Sequence, residues 1–118
     1  MAIIANELRI GNYLYNDKVV VKIDAQSIFN IWDKSDKYSP IPITEEWLFK
    51  FGFVLRGFYY HFPNHEIFKL EQYKLNNAYF LRHGNESLDG VRINYIHKLQ
   101  NLYFALTGKE LIYGNNLD

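Results

Sequence analysis

Between residues 8 and 43 the apolar positions fall in short runs broken by polar or glycine-bearing stretches, the pattern of short strands. Leu8-Arg9-Ile10 leads into a Gly11-Asn12 turn, and Tyr13-Leu14-Tyr15 is closed by Asn16-Asp17. Lys18-Val19-Val20-Val21-Lys22-Ile23 is the clearest strand, because adjacent β-branched residues resist helix. Val19, Val21 and Ile23 would share one of its faces. Ser27-Ile28-Phe29-Asn30-Ile31-Trp32 is expected as another strand, with Ile28, Asn30 and Trp32 opposite Phe29 and Ile31. A polar turn over Asp33-Lys34-Ser35-Asp36-Lys37 follows. Pro40-Ile41-Pro42-Ile43 alternates, and its prolines confine it to a sheet edge or an extended linker. So many short strands predict a small antiparallel, SH3-like barrel or a curled meander.

The period then changes. Thr44 is a suitable N-cap, and Glu45 and Glu46 sit in the first turn, where the helix dipole favours anions. Trp47, Leu48 and Phe51 form one apolar stripe, and Gly52 can take the positive φ that ends a helix. Residues 53–93 predict an antiparallel β-meander. Phe53-Val54-Leu55 and Phe58-Tyr59-Tyr60-His61-Phe62 flank an Arg56-Gly57 turn. Glu66 to Glu71, Ala78 to Arg82 and Val91 to Ile93 supply the remaining strands, with a break at Asn76-Asn77 and a polar loop over 83–90. A second helix is expected over 95–107, capped by Asn94 and ended by Gly108. Tyr95, Ile96, Leu99, Leu102, Tyr103 and Leu106 make its apolar face. Lys109 to Tyr113 would return as a short strand or a docked tail, and 114–118 would fray. The fold class is therefore α+β: a strand-rich half, a short helix, a meander and a C-terminal helix. One domain over 1–118 is expected, with 1–43 and 44–118 as its subdivision and Pro40–Pro42 as the hinge.

Composition narrows the function classes. The 118 residues suffice for a core without staples, and there is no cysteine, which removes disulfides, thiolate metal sites and cysteine nucleophiles. Acidic and basic residues balance at 13 each, which argues against strong duplex binding. No apolar run approaches the roughly 20 residues of a membrane span. Met1 to Glu7 is apolar but lacks a basic region, so it is expected to belong to the fold and not to a signal peptide. A cytoplasmic location follows as an expectation. Aromatic residues reach 18%, which suits strands.

Catalytic chemistry finds little support. His61 and His65 lie four apart, but Pro63 puts them in a turn, with Glu66 alone as a third ligand, so no metal is expected. His97 reads as a solvated helix-face residue. Ser27, Ser35, Ser39 and Ser87 lie in no nucleophile-elbow pattern, and phosphate-binding glycine loops are absent. Glu45-Glu46 is explained by the helix N-terminus. No catalytic residue and no cofactor is expected, and a hydrolase or transferase ranks last. One feature could bind something: Tyr59, Tyr60, Phe62, Tyr73, Tyr79 and Phe80 on adjacent strands, interleaved with Lys69, Lys74, Arg82 and Arg92. Single-stranded nucleic acid is held by such stacking platforms beside cations, though aromatic residues in a small sheet are usually core.

Three stretches carry a resemblance: Asn6-Glu7-Leu8-Arg9-Ile10-Gly11-Asn12, the run from Pro42 to Phe53, and the run from Tyr95 to Leu111. Together they resemble a family of small uncharacterised proteins encoded by prophages and mobile elements of gut bacteria. The resemblance implies a bacterial cytoplasm as context and carries over no activity. The leading expectation is a non-enzymatic accessory protein that binds a protein partner or itself as a homodimer. Its contact surface would hold Tyr59, Tyr79, Tyr103 and Phe104, the last lying off the main apolar stripe. The alternative is a nucleic-acid or nucleotide binding module, with a counter-defence role as its sharper form, using Lys69, Arg82 and Arg92.

Overall fold

The computed structural model describes residues 7–33, 37–65, 67–73, 78–84 and 86–113. The expected start at 1–6, the centre of the polar turn at 34–36, Glu66, Lys74, the Asn76-Asn77 break and the tail at 114–118 lie outside them. The fold is α+β, with two antiparallel sheets and three helices among the described residues.

The first sheet contains β1 (Tyr13–Asn16), β2 (Val19–Lys22) and β3 (Tyr38–Ser39) in the order β2-β1-β3. β1 and β2 form a tight hairpin whose central residues, Asp17 and Lys18, both take positive φ, the twist that suits a two-residue turn. Ile23 is buried just beyond β2, Val21 is half-buried and Val19 is exposed, so the expected common face is covered only at its far end.

The strand expected over 27–32 is instead a helix, α1 (Ala25–Asp33). Asp24 explains the difference. Its carboxylate accepts from the Ser27 N–H and the Ser27 hydroxyl, both at 2.9 Å, which caps the first turn. Ile28 and Ile31 then fall three apart and pack with Leu8, Leu14 and Ile23 in a small second core. Among the described residues this half therefore holds three strands and a helix, not four or five strands, and that count gives the SH3-like reading no support.

Helix α2 (Glu45–Lys50) forms as expected, with the Thr44 hydroxyl accepting from the Trp47 N–H at 3.3 Å. Its Leu48 and the following Phe51 are fully buried. The segment around Pro40–Pro42 is packed into the fold. Ile41 and Ile43 are buried in the main core, Pro42 bridges Tyr95, and the Ile96 N–H donates to the Ile41 carbonyl at 2.8 Å.

The second sheet is a meander in chain order: β4 (Val54–Arg56), β5 (Tyr59–His61), β6 (Phe68–Tyr73), β7 (Ala78–His83) and β8 (Glu86–Ile93). β8 begins well before the expected Val91, so the polar loop over 83–90 is largely strand. Gly84, at φ 61°, turns the chain so that Glu86 pairs with His83. Helix α3 (Ile96–Thr107) lays Ile96, Leu99 and Tyr103 into the main core. Tyr95, not Asn94, occupies its N-cap, without a side-chain cap bond. Gly108 ends it in the left-handed conformation, donating to the Phe104 carbonyl at 2.8 Å. Leu111 is buried and the Tyr113 ring meets Trp47 at 4.9 Å, so the segment after α3 is a docked tail.

Candidate functional site

Strand alternation sorts the meander into two faces. Tyr60, Leu70 and Leu81 are directly opposite one another across β5, β6 and β7, and all are buried in the main core. Their neighbours point the other way and form two rungs. On one, His61, Lys69 and Arg82 lie side by side across β5, β6 and β7. On the next, Arg56, Tyr59, Glu71, Phe80 and Arg92 run across all five strands. Arg56, Lys69, Arg82 and Arg92 share this outer face with the Glu71 carboxylate, in a chain of formal net charge zero.

The Tyr59 ring organises the centre. The Lys69 ammonium lies 4.5 Å from the ring centroid and the Arg82 guanidinium 5.2 Å from it. Arg82 also donates to Glu71 Oε1 at 3.1 Å. Placing Lys69 directly opposite Arg82 costs stability, since like charges face each other across the strands; Glu71 and the Tyr59 ring offset part of that. The field is felt by His61, whose pKa is lowered first by burial and then by the positive charges of Lys69 and Arg56.

The residues expected on a contact surface do not come together. Tyr79 and Tyr103 are only 2% and 4% exposed and belong to the core. Alternation turns Tyr79 inward, and Tyr103 lies on the sheet-facing side of α3, where its hydroxyl donates to the Pro63 carbonyl at 2.9 Å. Phe104 is 41% exposed, but the Arg9 guanidinium covers its ring at 4.1 Å. Tyr59 alone of that set sits with Lys69, Arg82 and Arg92. Arg56 was missed because it reads as a turn residue. Phe29 and Trp32 were missed as a pair because a strand would have put them on opposite faces. On α1 they are three apart, and they are 63% and 74% exposed.

His97 is a second correction. It is fully buried rather than solvated, with Nε2 3.0 Å from Glu7 Oε1 and no partner on Nδ1. It adjoins a polar cluster in which Arg9, Asn12, Gln100 and Asn101 bind α3 to the turn before β1. Burial lowers the His97 pKa; its bond to Glu7 acts in the opposite direction and Lys98 in the same one. The unfolded chain therefore binds the proton better. Stability from this residue is complete above the ordinary value of 6.5 and falls as the pH drops below it, by at most about 1.4 kcal/mol per pH unit. Urea unfolding at a series of pH values should show a shallower acid-side slope for His97→Gln than for the parent. His61 titrates with the same sign in both proteins, so the difference isolates His97.

Among the described residues no three His, Asp or Glu side chains gather as a metal site, and no helix is long and apolar enough to cross a membrane. The His65 ring lies 5.0 Å from that of Phe68, while His61 pairs with Lys69 in the sheet. Comparison with protein-family models, with curated proteins and with solved structures finds no match.

Proposed function

We propose that this chain is a non-enzymatic binding protein of the bacterial cytoplasm, of phage or mobile-element origin, and that it holds single-stranded nucleic acid on the outer face of the five-stranded sheet. The observation that carries this reading is the stacking of Lys69 and Arg82 on the Tyr59 ring, with Arg56 and Arg92 on the edge strands of the same face. A sheet that spreads cations across its strands beside aromatic rings suits a flexible phosphate backbone with splayed bases.

Fluorescence anisotropy with a labelled oligothymidylate of about 12 nucleotides tests it. The expected result is binding that weakens with added salt, with a log–log slope of about −2 to −3 for three or four phosphates engaged. Lys69→Glu with Arg82→Glu should weaken it at least tenfold while the thermal melt stays cooperative. Binding indifferent to salt and to the charge reversal would sink the proposal.

A second reading, a protein partner or a homodimer, draws on the exposed Phe29 and Trp32. An exposed Trp beside Phe on one helix face is the composition of an interface anchor. Light scattering with absorbance at 260 and 280 nm on the same peak separates the readings. A dimer free of nucleic acid favours the second, and a monomer carrying nucleic acid favours the first.

A further inference from the structure

The opposite side of the same sheet holds a cleft of about 430 Å³ with a different character. Glu45, Tyr60, Gln72, Tyr79 and Asn94 line it, together with the loop before α2. Among the described residues of that lining, Glu45 is the formally charged one. The Tyr60 hydroxyl donates to Glu45 Oε2 at 2.6 Å, and among the described residues no ion pair engages this carboxylate. The Tyr60 and Tyr79 rings meet edge to face at 6.0 Å. We infer that this cleft is a binding site for an organic cation, an alkylammonium or guanidinium group.

Each part of that chemistry has a reason. A carboxylate supplies the counter-charge and its second oxygen is open to a donor. The Gln72 and Asn94 amides offer carbonyl acceptors for further N–H groups. Aromatic rings attract a cation through their negative faces and shelter an alkyl stem. Both tyrosines stay neutral donors. Burial raises both pKa values, and the Glu45 charge adds to the effect. A divalent metal is the poorer fit, because hard cations gather several oxygen ligands and usually more than one carboxylate. The volume lies in the range of small-ligand pockets. The cationic outer face and the acidic cleft lie on opposite faces of the strands, so this site stands apart from the proposed nucleic-acid surface.

The probe is n-butylammonium chloride, with n-butanol as the uncharged control, followed by two-dimensional amide NMR of the whole chain. Saturable shifts at Glu45, Tyr60 and Tyr79 with the ammonium and not with the alcohol are expected. Glu45→Gln, which still offers Tyr60 an acceptor, should weaken binding at least tenfold with the other cross-peaks unmoved. N-acetyl-lysine methylamide separates the sources: tighter binding than butylammonium indicates a protein side chain, and equal or weaker binding a free amine. Equal shifts with butanol, undiminished binding by Glu45→Gln, or no shifts at millimolar probe would overturn the assignment.

Discussion

Gln100→Leu is expected to lower stability by about 3 kcal/mol, although the two side chains are similar in size. Gln100 is buried on α3, and its amide does the work of a short piece of sheet. Oε1 accepts from the Tyr13 N–H at 2.8 Å and lies 3.4 Å from Asn12 Nδ2, while Nε2 donates to the Gly11 carbonyl at 3.0 Å. Leucine would fill the space and leave a part-buried backbone donor and a part-buried backbone acceptor without their partners, at about 1–3 kcal/mol each. Asn12 would lose less, because it keeps Asn101 Oδ1 at 3.0 Å and still accepts from the Arg9 N–H at 2.7 Å. Against a total of about 5–15 kcal/mol for a domain of ordinary stability, the loss is large. Urea unfolding should show a lower midpoint with little change in slope. A midpoint within error of the parent would mean that water satisfies these groups and that the cluster does not hold α3 to the first sheet.

The elements that were legible in the sequence are those whose signals are local. Thr44 with its glutamates marked α2, Gly108 marked the end of α3, and the valines marked β2. α1 was misread because β-branched Ile28 and Ile31 carry a strand bias, whereas the deciding contact is the Asp24 cap three residues before their run begins at Ser27. The length of β8 depends on pairing with β7 across a register shift, which no local pattern records. The outer face was partly legible. Lys69, Arg82, Arg92 and Tyr59 were all singled out, but only the register joins them to Arg56 and separates them from Tyr79. The burial of His97 and Gln100 was not legible, because polar side chains three apart on a helix suggest a wet face. Their partners Glu7, Asn12 and Gly11 lie about 90 residues away along the chain.

Phe51→Ala should be the most damaging single change in the aromatic core, at about 3–5 kcal/mol. Phe51 is fully buried at the C-cap of α2, and its ring meets three others: Tyr13 at 6.1 Å, Trp47 at 5.6 Å and Tyr113 at 6.4 Å. Those rings come from β1, α2 and the docked tail, so one side chain fills the junction of three segments distant in sequence. Alanine removes the transfer energy of the ring and leaves a cavity that three rings on separate segments cannot close by a single shift. Each lost aromatic pair adds about 0.5–1.5 kcal/mol beyond area. Phe29→Ala is the control. That ring is 63% exposed, and its loss should stay within about 0.5 kcal/mol of the parent. Tryptophan emission gives an independent readout, because Trp32 is already in water and any further red shift must come from Trp47. Equal losses for the two variants would mean that α2 is not seated on this cluster. Glu45, at the other end of the same helix, would then have no fixed place beside Tyr60, and the acidic cleft would lose its wall.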